Sequence, residues 1–143
     1  MRVREVRIAD AARIAELLGQ LGYPSDESAV ERRLGRLARS DADVTWVAEI
    51  EGEVVGLVGI HLSQVLAYDG DAAKVSEIVV DDRYRRQGIG ARLMEVAEDG
   101  ARRRGCIVLF LTTAERRKDA HAFYRKLGFE ETGRRFAKSL DQP

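Results

Sequence analysis

Cysteine occurs once and histidine twice among the 143 residues, which excludes an internal disulfide and leaves too few soft ligands for a zinc cluster. No metal is expected. Eighteen uninterrupted apolar residues occur nowhere, so no membrane-spanning helix is predicted, and the opening "MRVREVRIAD" lacks the apolar core of a signal peptide. A soluble, cytoplasmic chain without a membrane partner is the expectation. An excess of either charge is also absent. The 24 basic side chains balance 24 acidic ones, against the profile of a strongly basic nucleic-acid binder or of a charged disordered tail. The lone Cys106 opens the apolar run "CIVLFL", where a small buried thiol is expected rather than a nucleophile.

What is present is core material. Apolar residues make up 45% of the chain, and a chain of this length is expected to form one domain, residues 1–143, that buries roughly two-thirds of its unfolded surface. "VREVRIA" alternates as a short strand, and Asp10 is positioned to cap a helix whose Ile14, Leu17, Leu18 and Leu21 recur at helical spacing. Beyond "LGYPSDES", Ser25 or Asp26 caps a second helix carrying Val30, Leu34 and Leu37 on one face. From Val44 the period falls to two. "VTWVAEI" and "VVGLVGIHL" flank "EGE" and predict a hairpin with Gly52 in its turn.

Residues 63–72, "SQVLAYDGDA", read as a loop, and "AKVSEIVVD" follows as a strand. "IGARLMEVAEDGARRRG" predicts a helix with Ile89, Leu93, Val96, Ala97 and Ala101 inward and Gly105 as a left-handed cap. "CIVLFLTT" reads as a central strand, "KDAHAFYRKLG" as a last helix ending at Gly128, and "FEETGRRFAKSL" as one or two closing strands. The order βααβββαβαβ(β) implies an α/β (α+β) fold, a mixed sheet with helices on both faces.

The chemistry concentrates in "DRYRRQGIGARLM". Between a strand and a helix start, "RRQGIG" lies where the first backbone N–H groups lack partners and the helix dipole is positive. Gly88 and Gly90 remove side chains that block close approach, and Arg85 and Arg86 add charge-assisted bonds to phosphate oxygens. A plain turn with solvated arginines is the competing reading. The third glycine of a dinucleotide fingerprint and a Walker lysine are both missing, which disfavours NAD and ATP.

"VVDDRYRRQGIGARLM" resembles the acetyl-CoA-binding motif of the GNAT superfamily of N-acetyltransferases, [RQ]-x-x-G-x-[GA], matched here by Arg85, Gly88 and Gly90. "AHAFYRKLGFEETG" resembles the C-terminal signature of the same superfamily. The resemblance covers nearly the whole chain and implies a splayed mixed sheet that binds acetyl-CoA. It implies that the pantetheine arm pairs with the backbone of Ile78, Val79 and Val80, and that the pyrophosphate sits on amides of Arg85, Arg86, Gln87, Gly88, Ile89 and Gly90. The implied reaction is direct acyl transfer from a thioester to a primary amine, with Tyr124 as general acid toward the coenzyme A sulfur. A half-buried helix aromatic is the other reading of Tyr124. Many members carry asparagine seven residues before that tyrosine, where this chain has Arg117, so the cofactor contact is expected to be made differently, by Arg117 or Arg116 reaching a phosphate.

Glu77, a carboxylate among apolar neighbours in "VSEIVV", is a candidate general base or else an electrostatic anchor for the substrate amine. His61, at the end of the preceding strand, is a second candidate base. Asp26, Glu27, Asp69 and Asp71 are placed to attract a cationic amine, with Tyr23 and Tyr68 to stack on it. A small-molecule or peptide amine is the expected acceptor, and an exposed C-terminal strand offers a route to a homodimer. A non-catalytic acetyl-CoA-binding module on the same fold is the rival reading. An arginine-rich nucleic-acid binder, resting on "RYRR" and "ARRRG", is a third.

Overall fold

The computed structural model describes residues 1–113 and 118–141. Its contacts group into two compact units, Met1–Leu111 and Thr112–Pro143. The first unit holds strands β1 (Arg2–Glu5), β2 (Asp43–Ile50), β3 (Glu53–Gln64), β4 (Asp71–Val80) and β5 (Cys106–Phe110) and helices α1 (Ala11–Leu21), α2 (Glu27–Ala38) and α3 (Ile89–Arg103). The second holds α4 (Lys118–Lys126).

The five strands lie in the order β1-β2-β3-β4-β5, antiparallel except for the parallel pair β4–β5. The β2–β3 connection is two residues long because Glu51 (φ 49°) and Gly52 (φ 81°) are both left-handed, the twist a tight hairpin requires. Helices cover both faces. Ile14 and Leu17 of α1 and Val30 and Leu34 of α2 pack with Val47, Leu57 and Val79 on one face. Truncating a fully buried leucine such as Leu17 or Leu57 costs about 2–5 kcal/mol, so this layer carries much of the fold.

On the other face α3 packs through Ile89, Leu93, Ala97 and Ala101, as its spacing predicts, with Met94 and Gly100 also buried, whereas Val96, expected inward, is half-buried at the edge of that face. A Cβ on Gly100 would lie 2.5 and 2.7 Å from the Trp46 ring. Gly100→Ala is therefore expected to destabilise the fold by about 1–3 kcal/mol despite alanine's better helix propensity, because a buried ring cannot yield cheaply. A urea midpoint that stays put or rises would contradict this.

Two bulges shape the site. Gly59 pairs with Glu77 but Ile60 with Val75, so Ser76 is an extra residue in β4. Such a residue bends its strand and increases the local twist. The β4–β5 ladder, itself shifted by one residue after Asp71, runs only from Asp71–Cys106 to Lys74–Phe110. Beyond it, Val75 to Val80 have no strand on that side among the described residues. The sheet is mixed and splayed as expected.

Several expectations need correction. "CIVLFL" is not central: β5 is the edge of the described sheet, with Ile107, Val108 and Phe110 exposed and Cys106 half-buried. Among the described residues no strand follows β5, so "FEETGRRFAKSL" adds none. The loop at 63–72 is shorter, since β3 extends to Gln64 and β4 starts at Asp71. Asp10 occupies the N-cap position of α1, but its side chain does not cap the helix. Its carboxylate instead accepts two bonds from Arg4, both 2.9 Å, and one from the Arg7 N–H, because an arginine fork outcompetes a single amide. Asp26 does cap α2, accepting from Ala29 N–H at 2.7 Å.

Candidate functional site

Asp81 follows β4 directly and fixes everything after it. Its carboxylate is 1% exposed and accepts from Arg13 of α1 at 2.7 Å, from the Arg83 guanidinium at 3.0 Å and from the Arg83 N–H at 2.9 Å. These bonds, the Arg83 guanidinium first among them, hold the Asp81 carboxyl well below the usual carboxylate range despite its burial. The loop from Arg83 to Gly88 leaves this anchor and delivers the chain to α3.

Within that loop Arg86 has φ 63° and Gly88 φ 79°, two left-handed residues separated by one. Turns of this kind aim neighbouring N–H groups into a shared concavity that suits anions. A left-handed arginine costs roughly 1–2 kcal/mol, a strain that the surroundings must impose. No side chain caps α3, and nothing lies within 4 Å of where a Cβ on Gly88 would project. Arg85 is paired with Asp82 at 2.6 Å, whereas Arg86 and Gln87 are exposed and Arg86 has no ion pair among the described residues. The open β4 edge at Ile78, Val79 and Val80 leads into this loop. A phosphate-bearing ligand with an extended polar arm fits the pair of features, amides for the one and an unpaired strand edge for the other.

Glu77 stands on the α1/α2 face of β4, and its half-buried carboxyl is pushed above the ordinary glutamate range by burial and then by the negative charge of Asp43. Its cross-strand partner is Gly59, and Gly59 in turn pairs with Thr45. Space for the carboxyl exists because residue 59 has no side chain: a Cβ there would lie 2.5 Å from Glu77 Oε1. Gly59→Ala should therefore move the carboxyl rather than unfold the sheet, since a flexible side-chain tip can yield. We expect turnover to fall by up to about a hundredfold with the melting midpoint nearly unchanged, the signature of a misplaced group. Equal activity would separate Glu77 from the chemistry.

Ser76 and Glu77 line a cavity of about 400 Å³ beneath α1 and α2, together with Tyr23, Arg33 and Thr45 among others. The sequence pointed to Glu77 and Tyr23 but missed Ser76, Thr45 and Arg33. The spacing of Arg33 from Val30, Leu34 and Leu37 places it on their helical face, and that was the available signal. His61 lies one strand across, its Nδ1 2.8 Å from Asp43 Oδ1, so it bonds the group that perturbs Glu77. Tyr68 and Asp69 belong to the exposed β3–β4 connection and do not line the cavity.

In the second unit, Tyr124 on α4 stacks edge-to-face on Phe123 and Phe129, at centroid distances of 5.4 and 6.0 Å. Gly128, with φ 94°, ends that helix as expected. Arg117 lies outside the described residues. Burial pushes the Cys106 thiol up, away from thiolate chemistry. No helix among the described residues is long and apolar enough to cross a membrane.

Comparison with known proteins bears on this geometry. Residues 11–129 match the family model described as "Acetyltransferase (GNAT) family". The chain is 37% identical over 89 residues, 62% of its length, to the aminoalkylphosphonate N-acetyltransferase of Salmonella typhimurium. It is 29% identical to the glucosamine 6-phosphate N-acetyltransferase of Arabidopsis thaliana, across 98% of this chain and 97% of that one. The matches to the first four curated relatives span between 38% and 58% of those proteins' own length. In fold it matches the crystal structure of a transcriptional regulator from Bacillus halodurans with a TM-score of 0.89 at 24% identity, over 97% of this chain and 99% of the other. The chain belongs to the acetyltransferase (GNAT) family.

Proposed function

We propose that this chain is an N-acetyltransferase that uses acetyl-CoA as donor and a small-molecule or peptide primary amine as acceptor. The observation that carries the reading is the open edge of β4 leading into the uncapped, doubly left-handed entry to α3, with Glu77 on the same strand. Acetyl-CoA, when bound, supplies a thioester-activated acetyl group. The backbone of Ile78, Val79 and Val80 is the surface for its extended arm. The amides from Arg85 to Gly90, with the Arg86 guanidinium, are the surface for its diphosphate.

Glu77 is the base that takes the proton an amine sheds as its nitrogen attacks. A carboxyl raised by burial and by Asp43 is better matched to that task than an ordinary glutamate. Thr45 and Ser76, beside Glu77 in the cavity, orient the amine. Tyr124 is proposed as the acid that protonates the departing sulfur, a role resting on its motif. Two relatives act, by name, on a phosphonate-bearing amine and on a phosphorylated amino sugar, which supports an amine acceptor here.

Thermal melting with acetyl-CoA, with NADH and ATP as controls, tests the reading. At about a hundred times the dissociation constant, binding adds roughly 2.7 kcal/mol and should raise the midpoint by about 5–10 °C. A selective rise, followed by amine-dependent thiol release, is the expected result. A midpoint indifferent to acetyl-CoA would remove the proposal.

A further inference from the structure

The cavity beneath α1 and α2 is polarised in a way that acyl transfer alone does not require. Among the described residues Glu77 is its one acidic lining residue, and its walls are hydrocarbon from Leu18, Leu21, Leu37 and Leu57. Arg33, Tyr23 and Ser76 are its solvent-exposed members, and Arg33 is the one cation among them. Arg33 Nη1 donates to Ser25 Oγ at 2.7 Å, and no carboxylate among the described residues pairs with it. Its charge is therefore available at the edge of an apolar cavity.

The acidic side chains expected to draw in a cationic amine are elsewhere. Asp26 is occupied by the N-terminus of α2, and Asp69 and Tyr68 do not line the cavity. A polycation entering this space would set ammonium groups against leucine and meet an arginine of its own sign, a costly desolvation without compensation. A volume of about 400 Å³ suits one small molecule.

We propose that the acceptor is an amphoteric amine with an apolar body, of the class of an apolar amino acid, its amino group toward Glu77, its hydrocarbon among the leucines and its carboxylate on Arg33. This rests on the transferase reading for the reaction, but the binding preference follows from the cavity itself. Polyamines and aminoglycosides are excluded as favoured substrates.

The test compares L-phenylalanine and L-leucine with 2-phenylethylamine, spermidine and kanamycin as acceptors, read by thiol release and by mass of the acetylated product. The two amino acids should exceed spermidine and kanamycin in kcat/KM by about tenfold or more. Arg33→Glu should cut the ratio of L-phenylalanine to 2-phenylethylamine at least about tenfold, mainly through KM, the equivalent of one lost charge-assisted contact. A preference for spermidine or kanamycin, or a ratio indifferent to Arg33→Glu, overturns the proposal while leaving the transferase reading intact. If acetyl-CoA fails to bind, the transferase reading falls first. The cavity is then probed by titrating L-phenylalanine alone against the melting midpoint, and no response to it overturns the proposal as well.

Discussion

Glu77→Gln is expected to lower kcat/KM by about a hundredfold or more at neutral pH while acetyl-CoA raises the melting midpoint by the same amount expected for the parent. Glutamine keeps the shape of the side chain and loses the proton acceptor, so binding and chemistry separate. The sign of the pH effect follows from the raised carboxyl. A glutamate pushed above its ordinary value of about 4.3 becomes a competent base only above that shifted value, so parental activity should climb with pH through it. The loss on substitution is largest above that point, and the acid limb of the profile should vanish in the variant. A variant that keeps both the rate and the acid limb would hand the proton to another group, with His61 the next to test through its bond to Asp43.

Asp81→Ala should weaken the fold and the loop before α3 together. Its carboxylate is fully buried and receives bonds from two elements, α1 through Arg13 and the loop through Arg83. Removing one partner of a buried pair costs about 3–5 kcal/mol when both are enclosed. Here the arginines reach solvent, Arg13 being 21% exposed, which reduces the expectation to about 2–3 kcal/mol and a midpoint about 5–10 °C lower. Because the folded Asp81 carboxyl lies below its unfolded value, its contribution is complete above roughly pH 4 and declines as the pH falls toward the depressed folded value. The variant should therefore lose less on acidification than the parent. Acetyl-CoA affinity should drop with stability, since the loop loses its anchor. An unchanged midpoint would mean the two arginines find other partners.

The parts legible in the sequence were those set by local periodicity and by backbone chemistry. The hairpin at Glu51–Gly52 and the inward face of α3 follow from spacing, and Gly105 and Gly128 end their helices in left-handed conformations as their positions imply. Strand order is a different kind of information. "CIVLFL" has the apolar run of a central strand, yet β5 holds an edge, because an apolar run reports an environment and not a neighbour. The residues of the candidate site divided the same way. Glu77 was visible as a charge out of place, whereas Thr45 and Gly59 matter only through a register that no pattern discloses. Leu18, Leu21 and Leu37 read as core at helical spacing; Leu18 and Leu21 do pack against the core, and all three also wall the cavity, which spacing does not disclose. Asp10 was misassigned because the choice between an amide and an arginine fork is made by Arg4, on a separate strand.

The extra residue at Ser76 has a consequence for how such an opening arises. The bulge bends β4 one residue beyond Val75, next to where its ladder with β5 stops at Lys74 and Phe110, and the backbone from Val75 to Val80 is unpaired on that side among the described residues. The unpaired edge of β4 thus begins one residue after the ladder with β5 ends and spans the extra residue itself. Deleting Ser76 should restore a regular β3–β4 register with Glu77 and Gly59 still opposite each other, and a loss of acetyl-CoA binding in that variant would tie the bulge to the open edge.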